Sequence, residues 1–340
     1  MRGVWFPGLQ AVRPEPFDFA QDRLVEGHCK DRDRYRAMSL SKASPRSPEM
    51  ESRANAAYLG LAIGDALGAT VEFMTPREIA AQYGVHDTIR GGGWLRLKPG
   101  QVTDDTTMAL ALGRAILQSG RVDALAIARA FDDWMRAKPV DIGNTVRRGL
   151  MHFRTTGIPE SLPSEHDAGN GAAMRILPVA LATLGQAEGQ VRASCRAQSH
   201  ITHNNALSDA ATECLALMVQ DAMQGVDREA LLQRRVIPLV TQHPEFEFRS
   251  VPRSNPSGYV VETMQAVFQA FFGTTGFREC LVDVVNRGGD ADTTGAIAGM
   301  LAGALYGEGA LPQTWLNALD PQIREACESQ ARALVTQLVR

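Results

Sequence analysis

Apolar positions along most of the chain recur at helical spacing, and they almost nowhere alternate with the two-residue period of a strand. Patterned sequence starts near Arg53 with ANAAYLGLAIGDALG (54–68), which is apolar nearly all round and places Gly60 four residues before Gly64. That pattern predicts a buried helix on which other helices pack closely. Asp65 lies inside it; a lone buried carboxylate needs a partner, so Asp65 reads as structural support rather than a ligand. A short helix is expected over 76–83, followed by Gly91-Gly92-Gly93-Trp94, a loop without helical period. Further helices are expected at about 104–119, 123–137, 143–155, 172–185, 189–200, 205–224, 227–241, 259–272, 277–286, 291–306 and 321–339. Polar loops at 156–168 and 242–257 interrupt them, and no repeat recurs at a fixed period. The expectation is an all-α protein with one domain over 50–340.

Residues 1–49 differ from this pattern. They mix Pro, Arg, Asp and Ser with little periodicity and contain no signal-peptide apolar core. They read as a disordered tail, or as sequence preceding a true start at Met38 or Met50.

Two acidic clusters, far apart in the chain, stand out: Thr103-Asp104-Asp105-Thr106-Thr107 and Asp290-Ala291-Asp292-Thr293-Thr294. Each follows a Gly-containing turn and opens an Ala/Gly/Leu/Met-rich helix, at the positive end of its dipole. Helix capping explains one side-chain oxygen at each start. It does not explain two carboxylates and at least two hydroxyls. If both starts meet, four Asp converge, and each carboxylate pair ~4 Å apart repels by ~4 kcal/mol at an effective dielectric of ~20. Several such pairs rival a whole fold's stability of ~5–15 kcal/mol. A hard divalent cation relieves the repulsion, and all-oxygen donors without His or Cys favour Mg²⁺, Mn²⁺ or Ca²⁺ over Zn²⁺. An EF-hand is excluded. Asp290, Asp292, Thr294 and Gly295 fit its positions 1, 3, 5 and 6, but Leu301 stands where the bidentate Glu belongs.

The rest of the composition removes alternatives. Over 340 residues the net charge is −3, which offers no electrostatic footprint for nucleic acid. Five cysteines without a C-x-x-C pair point to a reduced, cytoplasmic setting, and no apolar run reaches the ~18 residues of a membrane span. There is no phosphate loop, and Gly169-Asn170-Gly171 does not continue as a dinucleotide fingerprint. His200 and His203, at a helix junction, read by position as capping or surface groups, and Tyr259 as a half-buried anchor.

Taken together, Gly64-Asp65-Ala66-Leu67-Gly68…Glu72, Thr103-Asp104-Asp105-Thr106 and Gly288-Gly289-Asp290-Ala291-Asp292-Thr293-Thr294-Gly295 resemble the ADP-ribosylglycohydrolases. The stretches 91–100, 139–145, 167–175 and 201–204 narrow the resemblance to the branch that reactivates dinitrogenase reductase in nitrogen-fixing bacteria. It covers about residues 54–320. The resemblance implies an all-α globule with a binuclear Mg²⁺ or Mn²⁺ cleft. Thr103, Asp104 and Asp105 would bind from one side and Asp290, Asp292 and Thr293 from the other, with Asp292 bridging. It implies that Glu72 gates or contacts substrate beside the metals and that Asp141 moves protons at the substrate ribose, with Asn144 nearby. Gly169, Asn170, Gly171 and Met174 would line phosphate and ribose, and His203 and Tyr259 would surround the ADP-ribose.

The implied activity is hydrolysis of the bond from C1″ of ADP-ribose to an arginine guanidino nitrogen. Guanidine leaves poorly until protonated, so an acid is needed, with Asp141 favoured over Glu72. The implied partners are ADP-ribosylated dinitrogenase reductase as substrate and a PII-type signalling protein, through which the enzyme reaches a membrane ammonium channel. The implied state is a monomer. Two other readings stay open: an ADP-ribosylarginine hydrolase acting on other proteins, and a non-catalytic ADP-ribose-binding module.

Overall fold

The structure is a computed structural model that describes residues 47–337. The expected tail lies outside the described residues as far as position 46. Residues 48 and 49 open the first helix and Ser47 caps it, because the Ser47 hydroxyl accepts from Met50 N at 3.1 Å and Pro48 fits the first turn.

Fifteen α-helices follow among the described residues: α1 (Pro48–Gly68), α2 (Pro76–Tyr83), α3 (Asp104–Ser119), α4 (Ala124–Arg136), α5 (Asn144–Thr156), α6 (Leu177–Ala182), α7 (Glu188–Ser199), α8 (Ala206–Met223), α9 (Arg228–Leu231), α10 (Ile237–Gln242), α11 (Val260–Gly273), α12 (Phe277–Val285), α13 (Ala291–Tyr306), α14 (Gln313–Ala318) and α15 (Pro321–Gln337). No strand occurs among them; the only pairings of that type are two isolated bridges, Gly92 with Leu97 and Gly169 with Tyr259. The all-α expectation therefore holds. No described helix is long and apolar enough to cross a membrane.

Three boundaries differ from the sequence reading. The helix expected over 172–185 shrinks to α6, with residues 171–175 in turns, because Pro178 is suited to a first turn and not to a helix interior. The helix expected over 227–241 is broken by a π-turn at Leu232–Val236. Pro238 would clash with the carbonyl four residues back in a regular helix, and the wider turn removes that clash. α14 was not expected; it is a short helix whose Trp315 and Leu316 plug into the core.

The core is built on α1, which runs antiparallel to α13, with α15, α3 and α12 alongside. Small residues at four-residue spacing face one another across this pair. A Cβ at Gly60 would lie 2.2 Å from Gly299 O, one at Gly64 1.9 Å from Gly295 O, and one at Gly68 2.1 Å from Ala291 O. The two backbones are in contact, so the C-terminal end of α1 is held against the first residues of α13. That contact brings Asp65 and the loop after α1 to the second acidic cluster.

Candidate metal centre and ligand cleft

Asp65 organises the first acidic cluster from behind. Its carboxylate accepts from Thr103 N and Oγ1 at 2.9 and 3.0 Å, and from Thr106 N and Oγ1 at 3.0 and 2.5 Å. A carboxylate from a neighbouring helix thus satisfies the first turn of α3, so Asp104 and Asp105 are not consumed as caps. Neither Thr103 nor Asp290 makes a side-chain cap bond to its own helix. The capping explanation of the two clusters therefore fails at both helix starts.

The acids point at each other instead. Thr103 Oγ1 lies 3.2 Å from Asp105 Oδ2 and 3.4 Å from Asp292 Oδ2, and Thr293 Oγ1 donates to Asp105 Oδ2 at 3.3 Å. Glu72, Asp290 and Asp292 each offer one oxygen such that all three lie within 4.8 Å of one another. Asn170 Nδ2 holds Asp290 Oδ2 at 2.6 Å while also donating to Thr263 at 2.9 Å. The loop carrying Glu72 is tied to the loop before α13: Phe73 N donates to Gly289 O at 2.7 Å, and Gly289 N donates back to Met74 O at 3.0 Å. That pairing requires glycine at Gly288, which has φ +70° and where a Cβ would sit 2.1 Å from Met74 O.

A cleft of about 350 Å³ opens over this cluster. Its walls include Glu72, Asp104, Asp290, Asp292 and Thr293 from the acidic cluster, together with Asp141, Asn144, Gly169, Asn170, Gly171, Met174 and His203. The structure thus gathers most of the sequence-predicted site residues around one space. Thr103 and Asp105 lie behind the cleft surface, fully buried, and touch it through the hydroxyl network. Tyr259 is joined to the cleft wall through its backbone, which pairs with Gly169, but its side chain is not among the lining residues. It is 40% exposed at the start of α11, more open than the half-buried anchor expected from its position.

Sequence reasoning missed Trp94 and Phe73. Trp94 Nε1 donates to Glu72 Oε2 at 2.6 Å, and the Trp94 and Phe73 rings lie 5.4 Å apart at the surface. Phe73 holds φ 62°, an uncommon conformation for a residue with a side chain. The loops carrying both residues have no periodicity; the stretch 91–100 supported the resemblance but gave Trp94 no role, and Phe73 carried no signal.

The electrostatics of the cluster are those of uncompensated like charges. No Arg or Lys pairs with Glu72, Asp104, Asp105, Asp290 or Asp292 among the described residues. Burial first, and then the neighbouring carboxylates Asp290, Asp141 and Asp104, push Glu72 up to about 8 against the Trp94 hydrogen bond. Burial and then Asp141 and Asp65 raise Asp104 to about 7, and Asp105 and Asp292 are raised well above the carboxylate range by burial and their neighbours. Asp105 Oδ1 is buried without any hydrogen-bond partner. An orphaned buried carboxylate oxygen, all-oxygen donors and no protein counter-charge fit a hard divalent cation.

These shifts set the pH response of the protein without metal. Because the folded values lie above the unfolded ones, the folded state holds protons that the unfolded state has released. Stability therefore falls as pH rises from about 4, where unfolded carboxylates ionise, through the folded values near 7 and 8. Thermal melting in EDTA is expected to show Tm declining across that window, and saturating Mg²⁺ to raise Tm more at pH 8 than at pH 5. Equal Mg²⁺ stabilisation at both pH values would exclude the cluster as the cation site.

Residues 46–340 match the ADP-ribosylglycohydrolase family. The ADP-ribosyl-[dinitrogen reductase] glycohydrolase of Rhodospirillum rubrum is 50% identical over 288 residues, 85% of this chain and 97% of that protein. The ADP-ribosylarginine hydrolase Tri1 of Pseudomonas putida is 35% identical over 293 residues, covering 81% of this chain and 76% of that one. A solved structure described as an ADP-ribosylglycohydrolase-related protein complex superposes with a TM-score of 0.75 at 37% identity, covering 84% of this chain and 98% of that chain.

Proposed function

The chain belongs to the ADP-ribosylglycohydrolase family, and we propose that it removes ADP-ribose from a modified arginine of dinitrogenase reductase with two divalent cations, Mg²⁺ or Mn²⁺, held in its acidic cleft. The observation that carries the chemistry is the meeting of two acidic helix starts, neither capped by its own N-cap side chain, beneath a cleft walled by Asp141 and the Gly169–Met174 turn. The half-identical R. rubrum relative, matched over nearly its whole length, supports the protein substrate. The carboxylate and hydroxyl groups of Thr103, Asp104, Asp105, Asp290, Asp292 and Thr293 would hold the cations. When bound, the cations neutralise the carboxylates and supply Lewis-acid polarisation of ligand oxygens.

The remaining steps fall to the chain itself. The N-termini of α3, α5 and α13 open on the cleft, and their dipoles favour an anionic ligand there. Gly169, Asn170, Gly171 and Met174 give a close, largely backbone surface for diphosphate and ribose, with Asn144 at the start of α5 and His203 beneath. Tyr259 at the exposed edge is suited to stacking on the base. As the bond from C1″ to the guanidino nitrogen breaks, the departing nitrogen takes a proton from an acid of the cleft, and water adds at C1″ as hydroxyl, its released proton restoring that acid. Asp141 is partly exposed at the cleft wall, where its carboxyl group can deliver that proton, and Ile142 N holds its Oδ1 at 2.7 Å. Glu72, buried and oriented by Trp94, stands beside the reacting ribose. Regulation by a PII-type signalling protein and a membrane ammonium channel, and a monomeric state, rest on the resemblance alone.

Two results test this reading. ADP-ribose release from arginine-ADP-ribosylated dinitrogenase reductase should require Mn²⁺ or Mg²⁺, stop in EDTA, and far outpace release from an unrelated ADP-ribosylated protein. Equal rates on both would favour the broader arginine specificity that the name of the P. putida relative carries; no release from either would reduce the protein to a binding module. Asp141→Asn should lower kcat by about 10²–10⁴-fold, the usual worth of a positioned acid, with ADP-ribose affinity retained. Full turnover in that variant would remove Asp141 from the role.

A further inference from the structure

Among the described residues Arg175 is the largest fully buried side chain, and no carboxylate pairs with it. Its guanidinium lies over the Phe131 ring at 4.6 Å. It donates to Gln198 Oε1 at 2.9 Å, to Gln198 O at 3.2 Å and to Thr202 Oγ1 at 2.8 Å. Thr202 Oγ1 in turn lies 2.7 Å from His203 Nδ1, and His203 forms part of the cleft wall.

Proton counting along this chain has one solution. A guanidinium can only donate, so Thr202 Oγ1 accepts from Arg175. The hydroxyl then has one hydrogen to place, and the one acceptor within hydrogen-bond distance is His203 Nδ1. If Nδ1 carried the proton, that hydroxyl hydrogen would be buried with nowhere to go, at the cost of an unmade hydrogen bond. Nδ1 is therefore the acceptor and the ring proton sits on Nε2.

Nε2 has no protein partner among the described residues. It is packed against the turn at the cleft wall: a Cβ at Gly169 would lie 3.0 Å from Nε2, and one at Gly171 2.8 Å from Cε1. Burial, and then the positive charges of Arg175 and Arg148, hold the imidazole well below its ordinary pKa, consistent with a neutral ring. We infer that Arg175, acting through Thr202, locks His203 as the neutral Nε2–H tautomer, so that the ring presents a fixed hydrogen-bond donor to an oxygen of the ligand lying against Gly169–Gly171. Arg175 and Thr202 are thus positioning residues that reach the ligand only through His203. The identity of the ligand as ADP-ribose rests on the function proposed above; the tautomer does not.

The test separates the two. Long-range ¹H–¹⁵N spectra of ¹⁵N-histidine-labelled, Mg²⁺-loaded protein, with the His203 signals assigned by their loss in His203→Gln, should show Nε2 protonated and Nδ1 bare. Thr202→Ser keeps the hydroxyl and should keep that pattern. Thr202→Val keeps the shape without the hydroxyl; it should lose the single tautomer and weaken ADP-ribose binding by about tenfold, a typical loss for one misdirected hydrogen bond. A protonated Nδ1 in the unaltered protein, or an unchanged tautomer or unchanged affinity in Thr202→Val, would overturn the inference. If the unaltered protein bound no ADP-ribose, the proposed function would fall, and the spectra would still decide the relay.

Discussion

Asp292→Ala is expected to abolish turnover and cation binding together while leaving the metal-free protein no less stable than before. The residue sits between the two halves of the site. Its carboxylate shares the close group with Glu72 and Asp290, and Thr103 Oγ1 reaches it at 3.4 Å from the Asp105 side. Its loss removes a donor common to both halves, and a loss of about 4 kcal/mol in the transition state corresponds to a rate lower by about a thousandfold. The stability readout is what separates a ligand from a structural acid. Burial, and then repulsion from Glu72, Asp105 and Asp290, already disfavours the charged form of Asp292. Removing it therefore relieves strain in EDTA, and Tm should hold or rise there, while Mg²⁺ no longer adds stability. Titration calorimetry with Mn²⁺ and melting with and without metal check both halves; unaltered cation stoichiometry would remove Asp292 from the ligand set.

Gly64→Ala is expected to be the most destabilising single-methyl change in the protein. The added Cβ would lie 1.9 Å from Gly295 O and 2.3 Å from Gly295 C, both backbone atoms of α13. No rotamer can relieve a clash with a main chain, so α1 and α13 must separate. Overpacking costs about 1–3 kcal/mol where side chains can yield, and this contact belongs at or beyond the upper end. A Tm lower by roughly 5 °C is expected from ~3 kcal/mol in a domain of this size. Separation also moves Asp65 and the Glu72 loop relative to Asp290 and Asp292, so cation affinity should fall with stability. A Gly64→Ala protein that melts at the original temperature with full cation binding would show that the two helices are not in backbone contact.

Helical periodicity was legible because it is a property of neighbouring residues, and α2, α3 and α13 begin and end where the pattern predicts. The readings that failed, at α6 and at the π-turn before α10, turn on one proline each, Pro178 and Pro238. A periodicity reading averages a single proline away. Asp65 shows both sides of the matter. Its position in an apolar helix announced a need for partners, but nothing local announced that they would be Thr103 and Thr106. Trp94 and Phe73 lay in aperiodic loops, where a ring facing Glu72 looks no different from a ring facing solvent.

The chain by itself determined that the protein is helical, that α1 is a buried helix poised for close packing, and that two acidic helix starts carry more oxygens than capping can use. It determined these because spacing, glycine placement and residue chemistry are local facts. Tertiary structure alone decided that the two acidic starts face each other, that Glu72 joins Asp290 and Asp292, and that Arg175 reaches His203 through Thr202. The reason is physical. Repulsion between carboxylates, an orphaned oxygen and the direction of a hydroxyl proton depend on distances of a few ångströms between distant segments, and those distances exist only once α1 and α13 have closed on each other.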